Sequence, residues 1–322
     1  MRGPELSRRA LFTLAAAGAG AVVLAPPARA EQVTSIDVGG TPASVAVNPV
    51  TGFAYVSDPS TGVVSVLDSV SGTLSAVIPI GGRPGDLAVD PVTNRIYVAN
   101  PPGGTVVVLD GLTHEVVSVL GAGIGASSVD VDEEANRIYA VSAATGTIAV
   151  LDGVSCTLRS LVPGPVPSLT GIAVDPGRKL AYCTSVGTNS VEIFDITAGR
   201  FTGSAKVGQS PTGVAVQRAT GTVYVANSAI HHLSVVDSRT YAERKTILLR
   251  SEASAVTVHE GTNTVYTNGG PNGIAKIDGA LGALSGELTL GINPGDLAVD
   301  QRTRAVYVTD PLHGRVSLIR DF

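Results

Sequence analysis

The sequence predicts an all-β chain folded as a seven-bladed β-propeller with four antiparallel strands per blade. Three observations predict it. A tyrosine recurs at Tyr55, Tyr97, Tyr139, Tyr182, Tyr224, Tyr266 and Tyr307, at intervals of 41 to 43 residues. An acid ends the β-branched run that follows, at Asp68, Asp110, Asp152, Asp195, Asp237 and Asp278, with Arg320 closing the series. A polar residue stands seven positions before each Tyr: Asn48, Asp90, Asp132, Asp175, Gln217, His259 and Asp300. Seven copies in one phase are a repeat, and a period of about 42 residues holding four short strands is the mark of a propeller. Leucine-rich units are shorter, and TPR or HEAT units need helices.

Residues 1–30 read as a cleaved export signal. Arg2, Arg8 and Arg9 precede the apolar stretch Leu11 to Ala25, which leads to the small-residue site Ala28-Arg29-Ala30. That is the basic, apolar, A-x-A order of a secretory leader, and it is too short and Ala-rich for the ~20 apolar residues of a membrane span. Ser7-Arg8-Arg9-Ala10-Leu11-Phe12 is similar to a twin-arginine signal, although the order after the arginines departs from the usual one and leaves the general secretory route open. No other stretch is apolar enough to cross a bilayer, so residues 31–322 read as one propeller domain without a membrane span, exported to the cell envelope or beyond.

Along that domain the elements follow in order. Val33–Val38 has the pattern of a fourth strand and precedes the first innermost strand, so it is expected to close the last blade. The second unit shows the full plan. Asp86–Val89 is the innermost strand, Asp90–Asn94 a turn, Arg95–Ala99 the second strand, Thr105–Leu109 the third and Glu115–Leu120 the fourth. Runs of four to six β-branched residues bounded by Gly, Pro, Asn or Asp fit strands and are too short for helices. The last unit supplies only three strands, Asp296–Val299, Ala305–Thr309 and Val316–Ile319. Pairing with Val33–Val38 would remove two open edges.

The second strands carry a further pattern. Tyr97-Val98-Ala99-Asn100 and Tyr224-Val225-Ala226-Asn227 match the Tyr-Val-x-Asn motif, with near matches at Tyr55-Val56-Ser57-Asp58 and Tyr307-Val308-Thr309-Asp310. On these residues, and on Thr105–Asp110 as a third strand, the chain resembles the YVTN-repeat β-propellers over residues 31–322. Units three and six depart most, at Tyr139-Ala140-Val141-Ser142 and Tyr266-Thr267-Asn268-Gly269. The resemblance implies a fold, since such propellers serve as binding modules, periplasmic subunits and occasional enzymes.

Composition narrows the function. The formal net charge is −5, and removing the four Arg and one Glu of residues 1–30 takes it to −8. An acidic surface opposes sequence-independent nucleic-acid binding, which needs a Lys/Arg field. The motifs G-x-S-x-G, H-E-x-x-H, C-x-x-C, the Walker loop and the EF-hand loop are absent. Cys156 and Cys183 fall at opposite strand ends, beyond disulfide reach, and read as small hydrophobes. The five histidines read as polar loop residues, and Asp130–Glu134 as a solvated turn.

One constellation stands out. In a propeller, the loop entering the innermost strand and the loop after the second strand share one face, here called upper. Asp86 and Asp296 enter innermost strands in units two and seven, while Asp58, Asn100 and Asp310 end second strands in units one, two and seven. Arg83, Asn293 and Ser44 belong to the same rim. Asp58, Arg83, Asp86, Asn100, Asn293, Asp296 and Asp310 are therefore the candidate ligand-binding residues. Asp86, Asp296, Asp58 and Asp310 are the candidate ligands of a divalent cation, calcium or magnesium, because hard cations take carboxylate oxygens. No other cofactor is implied. A plainer origin is also legible: Pro84–Asp90 and Pro294–Asp300 are the same heptapeptide, so repeat ancestry alone accounts for two of the acids. The expected function is a binding module that takes a small molecule or a protein at the upper face around the channel. A metal-assisted lactonase- or lyase-type enzyme and an accessory subunit of a periplasmic redox system are the competing readings.

Overall fold

The computed structural model describes residues 32–322. Residues 1–30, where an export signal is expected, lie outside the described residues. Seven four-stranded antiparallel sheets make up the fold; six meander in chain order from an innermost strand to an outermost one, and the seventh takes its outermost strand from the other end of the chain. In blade 2 the strands are Leu87–Asp90, Arg95–Asn100, Thr105–Asp110 and Val116–Gly121. Each begins or ends within a residue of the sequence expectation, because ladder pairing, rather than residue preference, sets where a strand stops. Among the described residues no helix is long and apolar enough to cross a membrane.

The ring closes as the sequence predicts. The strand Gln32–Asp37 pairs antiparallel with Arg315–Arg320, the third strand of blade 7, in a register that sets Ile36 opposite Val316. Ile36 is buried with Val45, Tyr307, Val316 and Leu318, a cluster that spans blades 7 and 1.

Packing explains the three periodic marks. The hydrophobic core is divided into seven slices, one between each pair of neighbouring blades. Every register Tyr is buried in a slice. Several reach the next blade with their hydroxyls: Tyr55 donates to the carbonyl of Gly111 at 3.4 Å and Tyr224 to that of Gly279 at 3.3 Å. The acids that end third strands cap the following turn. Asp110 Oδ1 accepts from the amides of Leu112 and Thr113 at 2.8 and 3.0 Å, and Asp68 and Asp278 repeat the arrangement. The residues seven before each Tyr are buried and cap the turn after the innermost strand, as when Asp90 Oδ1 accepts from Val92 N at 2.9 Å. These side chains bind their own backbone two and three residues on, which fixes a tight turn without help from another blade.

Cys156 and Cys183 are both free thiols, and burial pushes the Cys183 thiol far up. The run Asp130–Glu134 departs from its sequence reading. Asp132 is fully buried, Asp130 and Glu133 are partly buried, and Glu134 with Ala135 faces solvent. Asp132 caps the turn of blade 3 through the Ala135 amide, and Asp130 lies on the innermost strand that lines the channel, so these two carboxylates turn inward instead of outward.

Candidate functional site

The seven innermost strands surround a central channel with a volume of about 690 Å³. Ala, Gly, Ser and Thr dominate its wall, because seven strands converging on an axis leave little room for side chains. Among the described residues three charged ones line it, Asp86, Asp130 and Asp296.

Asp86 and Asp296 sit where the chain enters innermost strands from the upper face. Gly295 lets that entrance pack closely: a Cβ there would stand 2.6 Å from Thr309 Oγ1 and 2.9 Å from Pro311. The two acids belong to blades 2 and 7, with blade 1 between them, yet one side chain joins them. Ser44 Oγ lies 2.9 Å from Asp86 Oδ1 and 2.7 Å from Asp296 Oδ2. A hydroxyl has one proton and can donate once. For both contacts to be hydrogen bonds, one carboxyl must be protonated and donate to Ser44 Oγ. The electrostatics agree. Burial pushes Asp86 upward, and burial together with the neighbouring Asp86 charge pushes Asp296 up to about 6.

The same acids staple blades. Asp296 Oδ2 accepts from Val45 N of blade 1 at 3.1 Å. Asp86 Oδ2 accepts from Ser128 Oγ at 2.5 Å and from Val129 N at 3.2 Å, both in blade 3. Asp130 Oδ2 accepts from Val174 N of blade 4 at 2.7 Å. Burial pushes Asp130 up to about 6, against the pull of the Arg218 charge. Each acid thus satisfies an amide on the next innermost strand, an orphan donor that the channel would otherwise leave without a protein partner.

The remaining candidates divide from this pair. Asp58 caps its own loop: Oδ1 accepts from Ser60 Oγ at 2.6 Å and Ser60 N at 2.8 Å, and Oδ2 from Thr61 Oγ1 at 2.6 Å. Despite its burial, these bonds hold the Asp58 carboxyl down at about 2. A Cβ on Gly40, whose φ is +57°, would collide with the Asp58 carboxylate. Asn100 Oδ1 accepts from Arg83 N at 3.2 Å. Asp310 Oδ2 meets His313 Nδ1 at 2.7 Å. Asp58, Asn100, Asp310 and Arg83 do not line the channel. Asn293 lies with Asn268 and Asn272 on a second upper-face hollow of about 330 Å³. The four acids proposed to share a cation are therefore not brought together as one set. Among the described residues no group of three or more His, Cys, Asp or Glu is placed to hold a metal ion.

Sequence reasoning placed Ser44 on the rim without its bridging role, and it missed Ser128 and Asp130. A signal for Asp130 existed. Its repeat position holds Ala46, Ala88, Ala173, Ala215 and Ala298 in five other blades and Thr257 in the sixth, so one blade alone carries a charge there.

No protein-family model matches the chain, and no curated protein matches it. A solved chain of Kuenenia stuttgartiensis hydrazine synthase has a similar structure, with a TM-score of 0.77 at 14% identity over 87% of this chain and 95% of that one. In all, 1772 solved chains match, so the architecture is common and by itself selects no activity. What this chain shares with its structural neighbour is the seven-bladed β-propeller fold.

Proposed function

We propose that this chain is an exported binding module of the YVTN-repeat type that takes a small polar ligand in the central channel from the upper face. The observation that carries the reading is the channel itself. Its volume of about 690 Å³ suits a small ligand, and its wall offers hydroxyls and three carboxyls among small residues. The signal-like residues 1–30 support an exported location. A second reading, an enzyme, draws support from one feature. Two carboxyls joined through Ser44 with raised proton affinity resemble the pairs that divide general acid and general base roles.

The test is a thermal-shift screen of the secreted protein against polar metabolites, with calcium and magnesium included, followed by Ser128→Ala and Asp130→Asn variants. A saturable rise in melting temperature that either variant weakens supports the channel as the site. A rise that neither variant changes moves the site elsewhere, and no rise with any compound removes the small-ligand reading.

A further inference from the structure

The turn after each innermost strand projects toward the lower mouth of the channel. Its first residue is Pro49, Pro91 and Pro176 in blades 1, 2 and 4, and Glu133, Arg218, Glu260 and Gln301 in blades 3, 5, 6 and 7. Proline suits that position, since its fixed φ favours the start of such a turn. The blades that depart from proline are the ones whose side chains meet.

Arg218 Nη1 pairs with Glu133 Oε1 of blade 3, reaching past blade 4. Its Nε lies 3.3 Å from Glu260 Oε1 of blade 6. Arg178 of blade 4 donates to the Arg218 carbonyl and lies 3.0 Å from Asp175 Oδ2, which fixes the turn that carries Arg218. Gln301 Oε1 accepts from Glu260 N at 2.9 Å, and its amide donates to Val258 O at 2.8 Å, which holds the far end. Asp130 on the channel wall adds a third negative charge near the guanidinium. One cation is thus tied across blades 3 to 6.

We infer that Glu133, Arg218 and Glu260 form a strap across the lower mouth of the channel, restricting passage on that side so that solutes reach the channel from the upper face. An arginine suits the role because its planar fork binds two carboxylates at once and keeps its charge at any working pH. The consequence for ligand access rests on the channel-binding reading above. The strap itself does not, and it can be tested without a ligand.

The test measures thiol labelling by N-ethylmaleimide in the full chain after Cys156→Ser and Cys183→Ala remove the native thiols. Val47→Cys places a thiol at the lower end of the channel wall, and Ser127→Cys places one at the upper end. Adding Arg218→Ala should speed labelling at position 47 by about tenfold, the factor that one lost charge-assisted hydrogen bond puts on a local opening. Labelling at position 127 should stay unchanged. Glu133→Gln combined with Glu260→Gln keeps the arginine, removes its anchors and should give the same selective increase if Arg218→Ala fails to fold. Unchanged labelling at position 47, or an equal increase at both positions, overturns the strap. Selective labelling stands even if no ligand is found, and its failure leaves the ligand screen untouched.

Discussion

Replacing Asp296 with Asn should stabilise the protein at alkaline pH and leave it unchanged in acid. Burial and the nearby Asp86 charge raise the Asp296 carboxyl from the ordinary value of 3.8 to about 6. The folded protein therefore holds this proton more tightly than the unfolded chain does. Stability from that group is fully present below about pH 4 and is lost as pH rises through about 6. A shift of about two units at ~1.4 kcal/mol each makes the loss about 3 kcal/mol. An Asn amide stands in for the protonated acid: its NH2 can donate to Ser44 Oγ, leaving the Ser44 hydroxyl for Asp86, its oxygen can accept from Val45 N, and it has no proton to lose. The two proteins should match near pH 4, and the variant should be more stable by up to about 3 kcal/mol near pH 8. Asp130 is also raised to about 6 and titrates in the same window, but it is present in both proteins and cancels in the difference. Urea unfolding across this pH range measures the effect directly. Parallel pH profiles, or a variant less stable than the parent at pH 8, would refute the shared-proton argument.

Ring closure by the first strand predicts that Ile36→Ala, at a buried site facing Val316, costs about 2–4 kcal/mol, whereas Val33→Ala, at a site 46% exposed, costs less than about 0.5 kcal/mol. Equal costs in urea unfolding would argue against closure through Ile36. The low Asp58 carboxyl makes the opposite pH contribution to that of Asp296: its stabilisation is present above about pH 4 and lost as pH falls toward 2, so Asp58→Asn should flatten the acid arm of the stability profile. Native thiol titration should label the half-buried Cys156 and spare Cys183 until the protein unfolds, and prompt labelling of both would contradict the burial of Cys183. Intact-mass analysis of secreted protein should find a chain that starts at Glu31, and a product retaining residues 1–30 would exclude cleavage after Ala30.

The sequence by itself determined the architecture, because a propeller writes its physics seven times. Each Tyr fills the same slice between blades, and each Asp at the end of a third strand caps the turn beside it. Those demands are local, or involve only the next copy, so they repeat with the period and can be read from one chain. The closing strand was legible for a related reason, since the last unit is one strand short and an open edge is costly. The acids of the upper rim were legible as residues and not as a site. Asp86 and Asp296, entering innermost strands, and Asp58 and Asp310, ending second strands, read as one rim, yet the first two reach the channel and the other two bind their own turns. Only the tertiary structure decided that, because the direction of a carboxylate at a strand end depends on which donors surround it. Ser44 meets acids 42 and 252 residues away. Arg218 ties a glutamate 85 residues earlier to one in the next blade. Such contacts follow from ring geometry, which brings nonadjacent blades together at the axis and nowhere else.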